Sequence, residues 1–289
     1  MNRLAVLTIA ILFAVCPYVE AQTKRRVYVL HSGMHIILAP KDKNHAARTL
    51  KEMLSKRGIS ARDLVALESP FPTATWSEMI PKDGLVLYLE SADPRSRPSQ
   101  DAYVRLHKAL QAQGVTQGDD IVWIGHSAGG QIGMTMAHLA HNLDKFPDLA
   151  KITKSYHFDT VITLGSAVGS NPTPRDVKLR HYCSDDDTMI TFLSEHGKLV
   201  ADTIKSKVQF RICYDLGPNA KLRAFPGIEH VEWYTNNRVL DCILREADAK
   251  YCPVWRRAQA DVSRGVGLSQ LIARSLESEL NLSLEEDAH

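Results

Sequence analysis

The sequence predicts an α/β protein, a mostly parallel sheet with helices on both faces. Three observations carry this. Short apolar runs at residues 26–30, 64–67, 121–124 and 159–164 alternate with segments of helical periodicity, the pattern of strands buried on both sides and joined by crossover helices. The 289 residues hold no internal repeat and no low-complexity linker, so they can build one sizeable core. The residues able to do chemistry also fall where the predicted strands end, which is where open parallel sheets collect ligands.

The centre of the pattern is Ile121-Val122-Trp123-Ile124-Gly125-His126-Ser127-Ala128-Gly129-Gly130. A buried strand breaks at Gly125, a tight turn puts Ser127 at its apex, and a helix runs on through Ile132, Met134, Met136 and Leu139. This is G-x-S-x-G with a strand before it and a helix after it, as the motif requires. A nucleophile at the tip of such a turn has a strained backbone and tolerates no bulk two residues to either side; Gly125 and Gly129 leave that room. The helix start aims the backbone N–H of Ala128 at an oxyanion forming beside Ser127. The plain alternative, a structural turn that happens to hold a serine, explains neither the second glycine at Gly130 nor the apolar helix.

In chain order, residues 26–30 form a strand that ends in His31-Ser32-Gly33-Met34-His35. A helix over about residues 44–57 carries Ala47, Leu50, Met53 and Leu54 on one face and stops at Gly58. A strand at 64–67 follows, and then Pro70, Pro72 and Pro81 punctuate an irregular stretch holding Phe71 and Trp76. An apolar run at 85–89 precedes the Pro94 to Pro98 loop and a helix over about 100–113, with Tyr103, Leu106, His107 and Leu110 on one side. Beyond the central unit, the strand at 159–166 stops in a small-residue loop, and 177–183 runs straight into Asp185-Asp186-Asp187. Strand character recurs at 208–214 and at 221–225, the latter ending at Pro226-Gly227, and a helix spans about 236–247. After Pro253, Leu268, Leu271, Ile272 and Leu276 give residues 253–289 one apolar face, as a docked terminal helix would have, with a solvated acidic end.

The N-terminus has its own logic. Asn2-Arg3, an apolar run from Leu4 to Val15 and the small-x-small site Val19-Glu20-Ala21 read as a signal peptide over residues 1–21, too short for a stable membrane span. The expectation is therefore an exported chain, periplasmic or secreted, with a domain over 22–252 and no stable span after cleavage. An uncleaved anchor is the alternative; a lipid on Cys16 is disfavoured because Val15 sits where a small residue belongs. Export permits disulfides. Cys183, Cys213, Cys242 and Cys252 allow two, in three connectivities that the sequence leaves open, or remain buried thiols. No C-x-x-C occurs, so neither a zinc nor a redox motif is supported. With 35 basic against 33 acidic residues, nothing calls for a nucleic-acid partner. His138 and His141 stand three apart on one helix with no carboxylate partner evident, so no metal is expected. Oligomeric state is not legible.

Four groups lie at predicted strand ends: the 31–34 turn, Ser127, the 185–187 run and His230, in the order serine, acid, histidine. On these residues the chain resembles an α/β-hydrolase of the lipase/esterase kind over roughly 27–247, most strongly at Gly125-His126-Ser127-Ala128-Gly129. Thr163-Leu164-Gly165-Ser166 is similar to the Thr-Leu-Gly-(Ser/Thr) loop of lipases. The resemblance implies a carboxylic-ester hydrolase that forms an acyl-enzyme on Ser127, with His230 as base and an aspartate orienting it. It implies no cofactor, and a small-molecule or lipid ester as substrate. His196 follows the acid too closely for an intervening strand, and His126 lies within the turn, where many residue types are accepted. For the acid, Asp187-Thr188-Met189-Ile190 best matches the family's return of the chain to the core, which favours Asp187, with Asp186 as runner-up. The oxyanion hole would take the N–H of Ala128 and one from the 31–34 turn, which has Ser32 where the family usually has glycine. That leaves Gly33 and Met34 as candidates, Met34 being the first choice.

In many relatives a cap domain intervenes before the strand that leads to the acid; residues 166–176 are too few for one. The site would then be walled by the 69–97 region, with Phe71, Trp76 and Met79 either lining it or filling the core. The same machinery serves thioesters, amides and acyl transfer, and a hydrolase fold also hosts non-catalytic binding proteins.

Overall fold

The computed structural model describes residues 24–33, 45–68, 92–166, 168–169, 174–184, 186–187, 210–211 and 220–248. Six strands form one sheet: β1 Arg26–His31, β2 Leu64–Leu67, β3 Asp120–His126, β4 His157–Leu164, β6 Lys178–Cys183 and β8 Ala220–Ala224. Their order is β2-β1-β3-β4-β6-β8, and every neighbouring pair is parallel. The two-residue strands β5 Val168–Gly169 and β7 Phe210–Arg211 pair antiparallel outside it. The helices are α1 His45–Lys56, α2 Arg97–Ala112, α3 Ala128–His141, α4 Pro147–Ile152 and α5 Asn237–Asp248.

The strand sequences are apolar without a break because both faces are covered. Side chains alternate along a strand, so Val27 and Val29 of β1, with Ile121 and Trp123 of β3, enter a core built with α2, α3 and α4. Tyr28, Leu30, Val122 and Ile124 point the other way, into a core built with α1 and α5. Each fully buried aliphatic side chain contributes on the order of 1.5–3 kcal/mol, and one-residue register slips are excluded because they would exchange the two sets.

The predicted strands and helices that fall within the described residues reappear within a few residues of their expected ends, the 208–214 strand apart. α4 was not anticipated: six residues are too few for a periodic pattern to show. The 208–214 strand is described only at its β7 residues. The 85–89 run, Phe71, Trp76, Met79, Met34, Asp185, His196, the 1–21 leader and the 253–289 tail lie outside the described residues. Among the described residues no helix is long and apolar enough to cross a membrane.

Cys183 is disulfide-bonded. Cys242 is a buried thiol outside any disulfide, with the Arg223 guanidinium donating to its sulfur. Two bridges among the four cysteines of the 22–252 domain, one of the arrangements the sequence allows, are therefore not formed.

The topology positions the site. From β1 the chain goes to β2 on one side, and through α2 it returns to β3 on the other. Outside the carboxyl ends of β1 and β3 the sheet therefore opens a crevice at its switch point. Ser32 and Gly33 follow β1 there, and Ser127 follows β3.

Candidate active site

Ser127 has φ 53° and ψ −128° and is the only non-glycine residue at positive φ among those described. Such a conformation costs on the order of 1–3 kcal/mol and persists only where the surroundings over-determine it. Here they do. Ser127 N donates to Leu164 O at 2.9 Å and Gly130 N to Ser127 O at 3.0 Å, while the Ser166 hydroxyl donates to the same oxygen at 2.5 Å. The two motif glycines meet: a Cβ on Gly125 would stand 2.2 Å from Gly129 O, and one on Gly129 would stand 2.6 Å from His31 O. Trp123 buttresses the turn from below, its indole donating to Gly129 O at 2.9 Å.

A serine at a helix N-cap ordinarily accepts an N–H of the first turn. Ser127 occupies the N-cap of α3 and makes no such bond, so among the described residues its hydroxyl caps nothing. The Ala128 N–H, first in the helix, takes part in no bond among the described residues. The turn after β1 packs directly on both: a Cβ on Gly33 would stand 2.5 Å from Ser127 Cβ and 3.0 Å from Ala128 N. Ser32 anchors this turn to α1 by accepting from Ala47 N at 2.9 Å. Ala128 and Gly33 thus flank the serine, and Met34 lies outside the described residues.

The acid and base candidates come from the ends of β6 and β8, whose loops leave together through Phe225 N donating to Cys183 O at 2.8 Å. His230 Nδ1 lies 3.0 Å from each oxygen of Asp187. Asp187 is fully buried and His230 nearly so, at 14% exposure. Asp186 points elsewhere, to solvent, accepting from Gly227 N at 2.6 Å. Ser127 and His230 are not joined by a hydrogen bond among the described residues. In a site without substrate this contact is often open and closes in the complex.

Three contacts here escape sequence reading. The Trp233 indole donates to Asp187 Oδ2 at 2.7 Å. Gly165, at φ +50°, makes room for that pair: its Cβ would lie 2.3 Å from Trp233 Nε1 and 2.5 Å from Asp187 Oδ2. His126 Nε2 donates to the His230 carbonyl at 2.7 Å, with ring centroids 4.7 Å apart and Tyr234 set edge-on to His126. His126 is thus a fastener of the His230 loop rather than an arbitrary turn residue. Burial, and then the neighbouring His230, lower its pKa to about 3.

His31 and His181 are likewise held neutral by burial, at about 4 and about 3. Their folded values lie below the ordinary histidine value of about 6.5, so between about pH 6.5 and 4 the unfolded chain binds protons that the folded one refuses. Unfolding should then take up about three protons from these rings, and stability falls as pH drops through that window. Melting temperatures recorded from pH 7 to pH 5 should decline steadily; a flat or rising profile would contradict the burial of these three rings.

His141, one of the paired helix histidines, has a carboxylate neighbour that the sequence did not reveal, Asp176 at 3.3 Å. Among the described residues no group of three or more such side chains is placed to hold a metal ion.

No protein-family model matches the chain, and no curated protein matches it in sequence. Its fold is similar to solved structures at low identity. Esterase B from Lactobacillus rhamnosis is 13% identical over 84% of this chain and 77% of its own, with a TM-score of 0.43. A dienelactone hydrolase-like promiscuous phosphotriesterase from metagenomic libraries is 12% identical over 92% and 89%, at 0.38. A predicted CIB-like hydrolase from Thermoplasma acidophilum is 13% identical over 78% and 86%, at 0.36. What identifies the architecture is the chain's own strand order, the strained serine turn after β3 and the loops that follow β6 and β8. The chain has the α/β-hydrolase fold.

Proposed function

We propose that this chain is an exported serine hydrolase of carboxylic esters, working through an acyl-enzyme on Ser127. One observation carries the reading: a strained serine whose hydroxyl makes no cap bond stands at the switch-point crevice, where the buried Asp187 and the His230 hydrogen-bonded to it arrive from the ends of β6 and β8. Ser127 Oγ attacks the acyl carbonyl while His230 Nε2 takes its proton, and His230 Nδ1–H stays on Asp187. Charge then develops on the carbonyl oxygen, towards the Ala128 N–H and a second N–H from Gly33 or Met34. Collapse breaks the ester bond, and His230 returns the proton to the departing alkoxide, which leaves as alcohol. Water attacks the acyl-serine by the same route in reverse and releases the acid. The step needs no cofactor.

A series of nitrophenyl esters of rising acyl length tests the substrate class. Turnover of at least the short members is expected, and no turnover of any member would overturn the ester reading. Export rests on the leader pattern in residues 1–21 and is supported by the disulfide at Cys183. Mass spectrometry of the exported protein should find a chain beginning at or near Gln22; an intact Met1 in a cytoplasmic fraction would contradict it.

A further inference from the structure

We propose that Trp233 is a positioning residue of this site: its indole N–H holds the Asp187 carboxylate in the orientation that faces His230. The inference rests on the roles given above to Ser127, His230 and Asp187. His230 Nδ1 is equidistant, at 3.0 Å, from the two carboxylate oxygens, a geometry that lasts only while the carboxylate keeps its rotation. The Trp233 indole, donating to Oδ2 at 2.7 Å, ties that rotation down. An indole N–H only donates and does not titrate, so it holds the carboxylate at every working pH, whereas a hydroxyl or amide could turn over.

The indole is itself immobilised. Trp233 is fully buried in the α1/α5 core, with the Phe225 ring edge-on at 5.9 Å. Gly165 closes the opposite side, where even a methyl group would stand 2.3 Å from Nε1 and 2.5 Å from Oδ2. If Trp233 were only core filling, its ring would matter and its N–H would not.

The test separates ring from N–H. Trp233→Phe removes the donor with some volume, and β-(3-benzothienyl)alanine at position 233 replaces N–H by sulfur with the shape kept. Each should lower kcat about tenfold to a hundredfold, the scale of one lost hydrogen bond to a charged group, with KM little changed. The acid limb of the kcat/KM profile should also move to higher pH. Deprived of a donor, the Asp187 carboxylate holds the proton on His230 more strongly. The other titratable groups around His230 are unaltered by either change: Asp186 beside the same loop, His126 at the end of β3, Glu229 and Glu232 on its own turn, and Tyr234 with His45 of α1 behind it.

A benzothienyl protein with wild-type kcat and an unmoved profile would overturn the proposal, even if Trp233→Phe melts early. Labelling of the unsubstituted protein by a fluorophosphonate keeps the two failures apart. A wild type that labels at Ser127 beside an unaffected isostere defeats this inference alone. A wild type that does not label defeats the reading of the site.

Discussion

Replacing Ser127 with alanine is expected to lower kcat/KM by about a thousandfold to a millionfold, the range seen when a serine nucleophile is removed and only binding and oxyanion stabilisation remain. Stability should hardly change, within about 0.5 kcal/mol, because the hydroxyl makes no hydrogen bond among the described residues. Ser127 caps α3 without a side-chain bond, and the turn is fixed instead by its backbone and by Ser166. This combination separates a nucleophile from a structural serine, whose loss would appear in the melting temperature. Ester hydrolysis and thermal unfolding of the same preparation decide it. Retention of a tenth or more of the activity would contradict the assignment.

Among the clustered aspartates a comparably large effect is expected at Asp187 alone. Asp187→Asn removes the charge that stabilises the cationic His230, and its amide can donate to Nδ1, which favours the wrong tautomer. Losses of about four orders of magnitude follow from that change in serine proteases. Asp186→Asn keeps an oxygen to accept the Gly227 N–H and sits in solvent, so its activity should stay within about twofold and its stability within about 0.5 kcal/mol. Measuring kcat/KM for both, with folding followed by circular dichroism, checks the pair. If Asp186→Asn lost activity while Asp187→Asn kept it, the acid would be misassigned.

Legibility followed the range of the interaction. Residues 27–30 read as a strand because each face of the sheet covers every second side chain, which leaves an unbroken apolar run. The serine turn read clearly because Gly125 and Gly129 touch, and that contact admits no side chain. Asp187 was preferred over Asp186 from the residues after it; in the structure the two part by burial, one facing His230 and the other capping the Gly227 turn. Trp233 on Asp187 and His126 on the His230 carbonyl span 46 and 104 residues. They depend on the loop after β8 folding back over β3, which no local period encodes. The Asp176 partner of His141 was hidden for the same reason.

The central claim is that the Ser127 hydroxyl is an activated nucleophile. A fluorophosphonate probe reacts with such a serine and with few others, and peptide mapping by mass spectrometry identifies the residue it modifies. A single adduct on Ser127 is expected in the folded protein, absent after denaturation and absent in Ser127→Ala. A folded protein that takes no label, or takes it on another serine, would contradict the account.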